Sequence, residues 1–330
     1  MDPVRHQKRA LGFLSGILAK NNVAHALVFT GDAGLGKRQA AVHFAMARNC
    51  EGTPDPESAM FGSQGPCGVC GSCRKILSGN HPDVLFVEKR GASIKIEQIR
   101  DLLSVLAMRP SEGKTRVVLI SGAGDMTASS SNALLKALEE PSDTTCFVLL
   151  AGQKSELLPT VVSRCQEIRF SPLPVSFLIE SLENDGVDPD LAHACASIAS
   201  GSLAKARALA SDQGLARRNW LVNQLCALED QGMGQALLLA EFLAKDKNAA
   251  QEDLNWIRTW LRDLLVSRYA PQRVINRDLM GLVNSRSAKS APEVLLEKLQ
   301  AVADCENDLT RNVNTRLSME NLCMRLSSGG

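Results

Sequence analysis

Aromatic residues are scarce in this sequence. Nine Phe, three Trp and a single Tyr make up 4% of 330 residues, too few for a platform on which successive bases of a single strand would stack. A charge surplus is also missing. Lys and Arg total 37 against 36 Asp and Glu, a formal net charge of +1. That balance argues against a polybasic nucleic-acid coat and against an acidic tail, and leaves room for a local basic face. No apolar run approaches the length of about 18 residues that a membrane helix needs, so the sequence predicts no membrane partner. What is present is an ordinary soluble composition, 45% hydrophobic and 22% charged. The length predicts two or three domains, each able to bury a core.

The start of the chain admits two readings. Leu11 to Ala19 is apolar behind Arg5, Lys8 and Arg9, and Ala24-His25-Ala26 is weakly like a signal cleavage site. Cleavage there would begin the mature chain inside the first strand. Gly12 and Gly16 lie within the apolar stretch, which reads better as a first amphipathic helix. Of ten cysteines, Cys146, Cys165, Cys195, Cys226, Cys305 and Cys323 are scattered singly, several in apolar runs. A reduced, cytoplasmic protein uses Cys in this way, as a small core residue.

The first half alternates strands and helices. Strands are expected at Ala26–Thr30, Asp83–Glu88, Arg116–Ile120, Cys146–Leu150 and Glu167–Phe170. Ile94–Met108, with Ile99, Leu102, Leu103 and Leu106 on one face, reads as a helix stopped by Pro110, and Ser131–Glu140 as another closed by Pro141. Continuous apolar strands separated by helices predict a parallel, three-layer α/β sheet. After Ser171-Pro-Leu-Pro174 only helical patterns remain. The expected domains are an α/β domain over 1–172, three short helices over 173–210, and a larger all-helical domain over 211–330.

Gly31-Asp-Ala-Gly-Leu-Gly36-Lys37-Arg38 follows the first strand and opens a helix. This is the context of a phosphate-binding loop, in which backbone N–H groups and a helix N-terminus cradle phosphates and Lys37 reaches the terminal oxygens. Arg38, however, stands where Ser or Thr would hold Mg²⁺, and a guanidinium cannot ligate a metal. A nucleotide-free relic and a working site are equally consistent with the loop alone. The third strand runs into Ser121-Gly122-Ala123-Gly124, with no Asp for the metal shell and no Glu to activate water. Asp125 lies four residues beyond the expected position and serves only if the loop folds back.

Cys67-x2-Cys70-x2-Cys73 sits in a Gly-rich loop, and Cys50 lies upstream at the end of the first loop-borne helix. Four thiols can close a tetrahedral Zn²⁺ shell, which would make the ion structural. An iron–sulfur cluster and a redox disulfide are the alternatives, and His81 is a weaker fourth ligand than Cys50. The remaining candidates have bland readings. Glu139-Glu140 reads as a solvated helix end, since neighbours on a helix point about 100° apart. Arg258, Arg262 and Arg268, with Trp256 and Trp260, read as a packed helix with a solvated face. The five His show no ligand spacing.

Five segments together resemble the clamp-loader subunits of bacterial DNA polymerase III, in the AAA+ superfamily, over essentially the whole length. They are His25-Ala-Leu-Val-Phe29, the four-Cys insertion, Asn132-Ala-Leu-Leu-Lys-Ala-Leu-Glu-Glu-Pro141, Leu158-Pro-Thr-Val-Val-Ser-Arg-Cys165 and Asn314-Thr-Arg-Leu-Ser-Met-Glu-Asn321. The delta-prime type is the most similar. The resemblance implies sheet order 5-1-4-3-2, a helical lid over 173–210, a C-terminal collar that oligomerises over 211–330, and a zinc module over about 50–80 held by Cys50, Cys67, Cys70 and Cys73. It also locates the degenerate positions. The acidic pair falls on Ser121 and Gly122, the first sensor on Gly152 and Gln153, and the second near Ala204 and Lys205.

Gly31, Gly36 and Lys37 then form a degenerate loop, and ATP or ADP is unbound or not hydrolysed. Ser163-Arg164-Cys165 is retained, and in this family its Arg is a finger placed against the ATP of an adjacent subunit. An exposed sheet-edge Arg is the bland alternative. The implied function is a non-hydrolysing component of the DNA-directed DNA polymerase holoenzyme, with no ATPase of its own. Its implied partners are delta and gamma/tau subunits, the sliding clamp and primed DNA. The rival reading is an ATP-hydrolysing gamma/tau-type motor, against which Arg38, Ser121 and Gly122 speak. A zinc-dependent nucleic-acid binder acting alone would need a basic surplus that is absent.

Overall fold

Five apolar segments pair side by side into one parallel sheet in the order β2-β3-β4-β1-β5. The computed structural model describes residues 2–20, 25–53, 60–140, 142, 144–231, 233–311 and 313–327. The chain divides into two compact units, the first ending at Pro174 and the second beginning at Val175.

In the first unit, helix α1 (Lys8–Ala19) precedes β1 (Ala26–Thr30), α2 (Lys37–Asn49) and α3 (Gly71–Leu77). Then follow β2 (Val84–Val87), α4 (Ile96–Leu106), β3 (Arg116–Ser121), α5 (Ala128–Glu139), β4 (Thr145–Leu150), α6 (Pro159–Val162) and β5 (Gln166–Arg169). Strand β1 lies between β4 and β5, with Val28 opposite Leu149 and Glu167. The three central strands are buried along nearly their full length, whereas edge strand β5 buries only Ile168. Helices cover both faces of the central strands, which explains why their sequences run apolar without alternating. One face of the sheet packs with Ile99 and Leu102 of α4 and Leu134 and Leu138 of α5 into a single core. The strand order matches the one the resemblance implied.

Both ends of the helices expected at Ile94–Met108 and Ser131–Glu140 shift, and two of these shifts have a visible reason. Helix α4 ends at Leu106, well before Pro110. The Arg116 guanidinium takes the carbonyls of Val105, Met108 and Arg109, so the terminal acceptors are satisfied by a side chain and not by another helical turn. Helix α5 begins at Ala128, three residues early, because the Thr127 hydroxyl accepts from Ser130 N and caps it. Pro141 and Ala24 lie outside the described residues. Helix α1 buries Ala10 and Leu14 on one side, as an amphipathic helix does.

Every regular element among the described residues of the second unit is a helix. It contains α7 (Val175–Asn184), α8 (Pro189–Ile198), α9 (Leu203–Leu209), α10 (Asp212–Gln231), α11 (Met233–Ala244), α12 (Lys247–Val266), α13 (Met280–Ser287), α14 (Pro292–Thr310) and α15 (Thr315–Ser327). Trp256 and Trp260 are buried, and Arg258 pairs with Glu306 at 2.9 Å. Arg262 pairs with Asp263, and Arg268 bonds Ser287. The tryptophan–arginine stretch is therefore a packed helix whose cations are internally engaged. No helix among the described residues is long and apolar enough to cross a membrane.

Candidate functional site

Strand β1 delivers the chain into the glycine loop, where Gly31, Gly34 and Gly36 take φ of +134°, +78° and +89°. Residues with a Cβ rarely adopt these values. Gly36 is required a second time, since a Cβ there would meet Val4 Cγ2 at 2.8 Å. Val4 is fully buried in the 3-10 turn Pro3–His6. Next to it the buried Gln7 donates Nε2 to Leu35 O (3.2 Å) and Ser171 O (2.8 Å) and accepts from Ser171 N (2.9 Å). The N-terminal residues thus brace the loop from within the chain. Sequence reasoning missed Val4 and Gln7, which match no motif.

Lys37 is turned onto its own loop, donating Nζ to the carbonyls of Gly31 and Asp32, the latter at 2.9 Å. Burial lowers its pKa, against the opposing pull of the Asp32 and Glu156 carboxylates. Arg38 points elsewhere. It pairs with Glu88 and lies over the Phe86 ring, 5.6 Å from the centroid.

The ends of the central strands hold the positions expected for the acidic pair and the first sensor. Beyond Ser121 the chain folds back through the 3-10 turn Ala123–Asp125, and the Asp125 carboxylate reaches Gly122. Asp125 is thus brought near the expected acidic position, but it is held by Lys89 at 3.1 Å. A different carboxylate stands beside the expected sensor. Glu156 Oε2 accepts from Gly152 N at 2.9 Å, and a Cβ on either Gly124 or Gly152 would come within 2.7 Å of this carboxylate. Gly152 O in turn accepts from Gly31 N at 2.9 Å. Glu156 therefore sets a negative charge beside the phosphate loop, where it disfavours another anion.

Arg164 lies just past α6, whose Pro159 sits at the first helical position. Its Nη1 donates to Thr160 O (2.8 Å) and Ser163 Oγ (3.2 Å), and its Nη2 pairs with Glu139 Oε1 at 2.5 Å. The Arg164 side chain remains 34% exposed. Glu139 is therefore not merely a solvated helix end, as its sequence context suggested. Burial pushes the thiol of adjacent Cys165 up to about 11.

The four cysteines come together from three segments. Cys50 caps the end of α2, Cys67 and Cys70 lie in the Gly-rich loop, and Cys73 is in the first turn of α3. Their sulfurs all lie within 4.8 Å of one another. Cys67 N donates to Cys50 Sγ (3.3 Å), Cys70 N to Cys67 Sγ and Cys73 N to Cys70 Sγ (3.4 Å each). Such N–H groups favour thiolates. At Cys70 burial pushes the thiol up, but the N–H groups of Glu51 and Cys73 outweigh it and bring the pKa down to about 6. This donor set can hold a metal ion. His81 is not among the converging ligand atoms; it is buried, with Nδ1 accepting from Asp83 N at 3.1 Å. Gly52 is a further requirement the spacing did not reveal. A Cβ there would stand 2.7 Å from Cys67 Sγ.

Comparison with known proteins covers both units. A family profile described as DNA polymerase III, delta subunit, matches residues 6–174, and one for the C-terminal part of that subunit matches residues 212–328. The chain is 30% identical over 328 residues to DNA polymerase III subunit delta' of Bacillus subtilis, covering 98% of this chain and 97% of that protein. It is 31% identical over 250 residues to DNA polymerase III subunit tau of Escherichia coli, covering 72% of this chain and 37% of that protein. A solved structure of a DNA polymerase III gamma subunit-related protein from Thermotoga maritima aligns at TM-score 0.41 and 17% identity, covering 97% of this chain and 99% of that one.

Proposed function

Since the chain belongs to the delta-prime family of bacterial DNA polymerase III clamp-loader subunits, we propose that it is a non-hydrolysing subunit that lends Arg164 to the ATP site of a neighbouring motor subunit. The observation that carries this reading is a contrast between two cations. Lys37 is bound to its own loop carbonyls beside Glu156, with Ser121 and Gly122 in place of the acidic pair. Arg164 is braced yet still partly exposed. A planar, permanently charged fork suits phosphate oxygens, and such a group supplied in trans stabilises transition-state charge. Helices α7–α9 would form the lid and α10–α15 the collar that joins delta and gamma/tau subunits. The assembled complex would then load the sliding clamp onto primed DNA.

The ion we assign to Cys50, Cys67, Cys70 and Cys73 is Zn²⁺. An all-thiolate tetrahedral shell has no open position, and sulfurs at about 2.3 Å from one ion pack within the observed spread. Its role would be to hold together an insertion with few apolar anchors of its own. The test of the main reading is Arg164→Ala in a loader reconstituted with its motor subunit. Assembly is expected to persist while ATP turnover falls about 10³-fold or more. Normal turnover refutes the finger. Turnover by the purified chain alone supports the motor reading instead.

A further inference from the structure

We propose that Glu139 is a positioning residue for Arg164. The inference rests on the reading of Arg164 as a finger and adds the residue that aims it.

Two features of Glu139 are unusual. It is the last residue of α5, where the helix dipole presents its negative end and a carboxylate is disfavoured. Its side chain is 48% exposed, and the Arg164 side chain 34%. An ion pair so open to water adds little to stability. The pair therefore costs the helix something locally and stabilises the fold little. What it does is geometric. Glu139 Oε1 fixes Nη2 from α5, while Thr160 O and Ser163 Oγ fix Nη1 from α6. The guanidinium is thus gripped at both terminal nitrogens by two separate elements. Both Nη1 hydrogens are taken by Thr160 O and Ser163 Oγ, whereas Nε–H and the second hydrogen of Nη2 are engaged by none of these contacts and remain for an incoming phosphate.

A free Arg side chain samples many rotamers, and ordering it at the moment of reaction lowers the effective contribution of its charge. Glu139 orders it beforehand.

The test is a double-mutant cycle in the reconstituted loader, with Glu139→Ala, Arg164→Ala and the pair. Glu139→Ala is expected to lower kcat about tenfold with KM for ATP nearly unchanged, because aim is lost and not binding. In the Arg164→Ala background the same substitution is expected to change nothing, since the two residues act as one unit. Glu139→Gln, which keeps an oxygen to accept from Nη2, is expected to restore part of the rate. Thermal melting and assembly of each variant check folding. If Glu139→Ala turns over like wild type while Arg164→Ala falls, the positioning role is overturned and the finger stands. If Glu139→Ala slows the Arg164→Ala loader as much as the parent, Glu139 acts independently and the proposal fails. If Arg164→Ala itself is unaffected, it is the finger reading that has failed.

Discussion

Replacing Asp83 by Asn is expected to loosen the β2–β3 half of the sheet without touching the second unit. Asp83 stands just before β2 with no exposed surface. Its carboxylate accepts from Ser111 N (2.9 Å), Glu112 N (2.8 Å), Gly113 N (2.7 Å) and Arg116 Nη2 (3.1 Å). Asn would leave Arg116, 3% exposed, without a counter-charge. It would also turn an NH₂ toward backbone donors. Breaking one side of a buried pair costs about 3–5 kcal/mol.

Burial pushes the Asp83 carboxyl up, but the N–H groups of Gly113, Glu112 and Ser111, with Arg116, outweigh it and hold the pKa at about 2, against an ordinary 3.8. The folded value is the lower one. The resulting stability is therefore complete above about pH 4 and is lost as the pH falls toward 2; it amounts to about 2 kcal/mol. Hydrogen exchange at the amides of β3 and of residues 111–113 measures both effects. At pH 7 the Asn variant should exchange these amides about two to four orders of magnitude faster, each tenfold being about 1.4 kcal/mol. Trp220, Trp256, Trp260 and Tyr269 all belong to the second unit, so their fluorescence transition should stay in place and serves as a control. Unchanged protection at pH 7, or an Asn variant as acid-sensitive between pH 4 and 2 as wild type, would refute the argument.

Three further outcomes are expected. Elemental analysis of the purified chain should give one zinc per chain, lost in Cys70→Ser; iron absorbance would contradict the assignment. Gly52→Ala, which drives a methyl against Cys67 Sγ, should weaken metal retention during chelator dialysis although Gly52 is not a ligand; wild-type retention would show that the loop yields. Lys37→Ala should leave ATP turnover by the reconstituted loader within about twofold, because Lys37 is engaged by its own loop; a collapse comparable to that of Arg164→Ala would mean this loop works on nucleotide.

Much of the site was legible before any coordinates. The apolar runs gave the strands, the Gly31–Lys37 spacing gave the loop, and the family resemblance placed the expected acidic pair on Ser121 and Gly122. The two-residue gaps of Cys67, Cys70 and Cys73 predicted convergence on one centre. These features are local, so spacing along the chain fixes them. The stop of α4 was misread because the cause, Arg116, lies ten residues beyond the helix and acts only once β3 has formed.

The chain's order of residues by itself determined which side chains stand at the expected positions: no packing can turn Ser121 into a carboxylate or Arg38 into a hydroxyl. Only the tertiary structure decided what stands in their place. Glu156 comes to the loop because β4 neighbours β1, and Gln7 reaches Ser171 across most of the first unit. Arg164 meets Glu139 because α5 and α6 come together beside the same sheet. Such partners lie 25 to 164 positions apart. Side chains that distant in sequence meet only after the sheet order has been set, and no local pattern records that order.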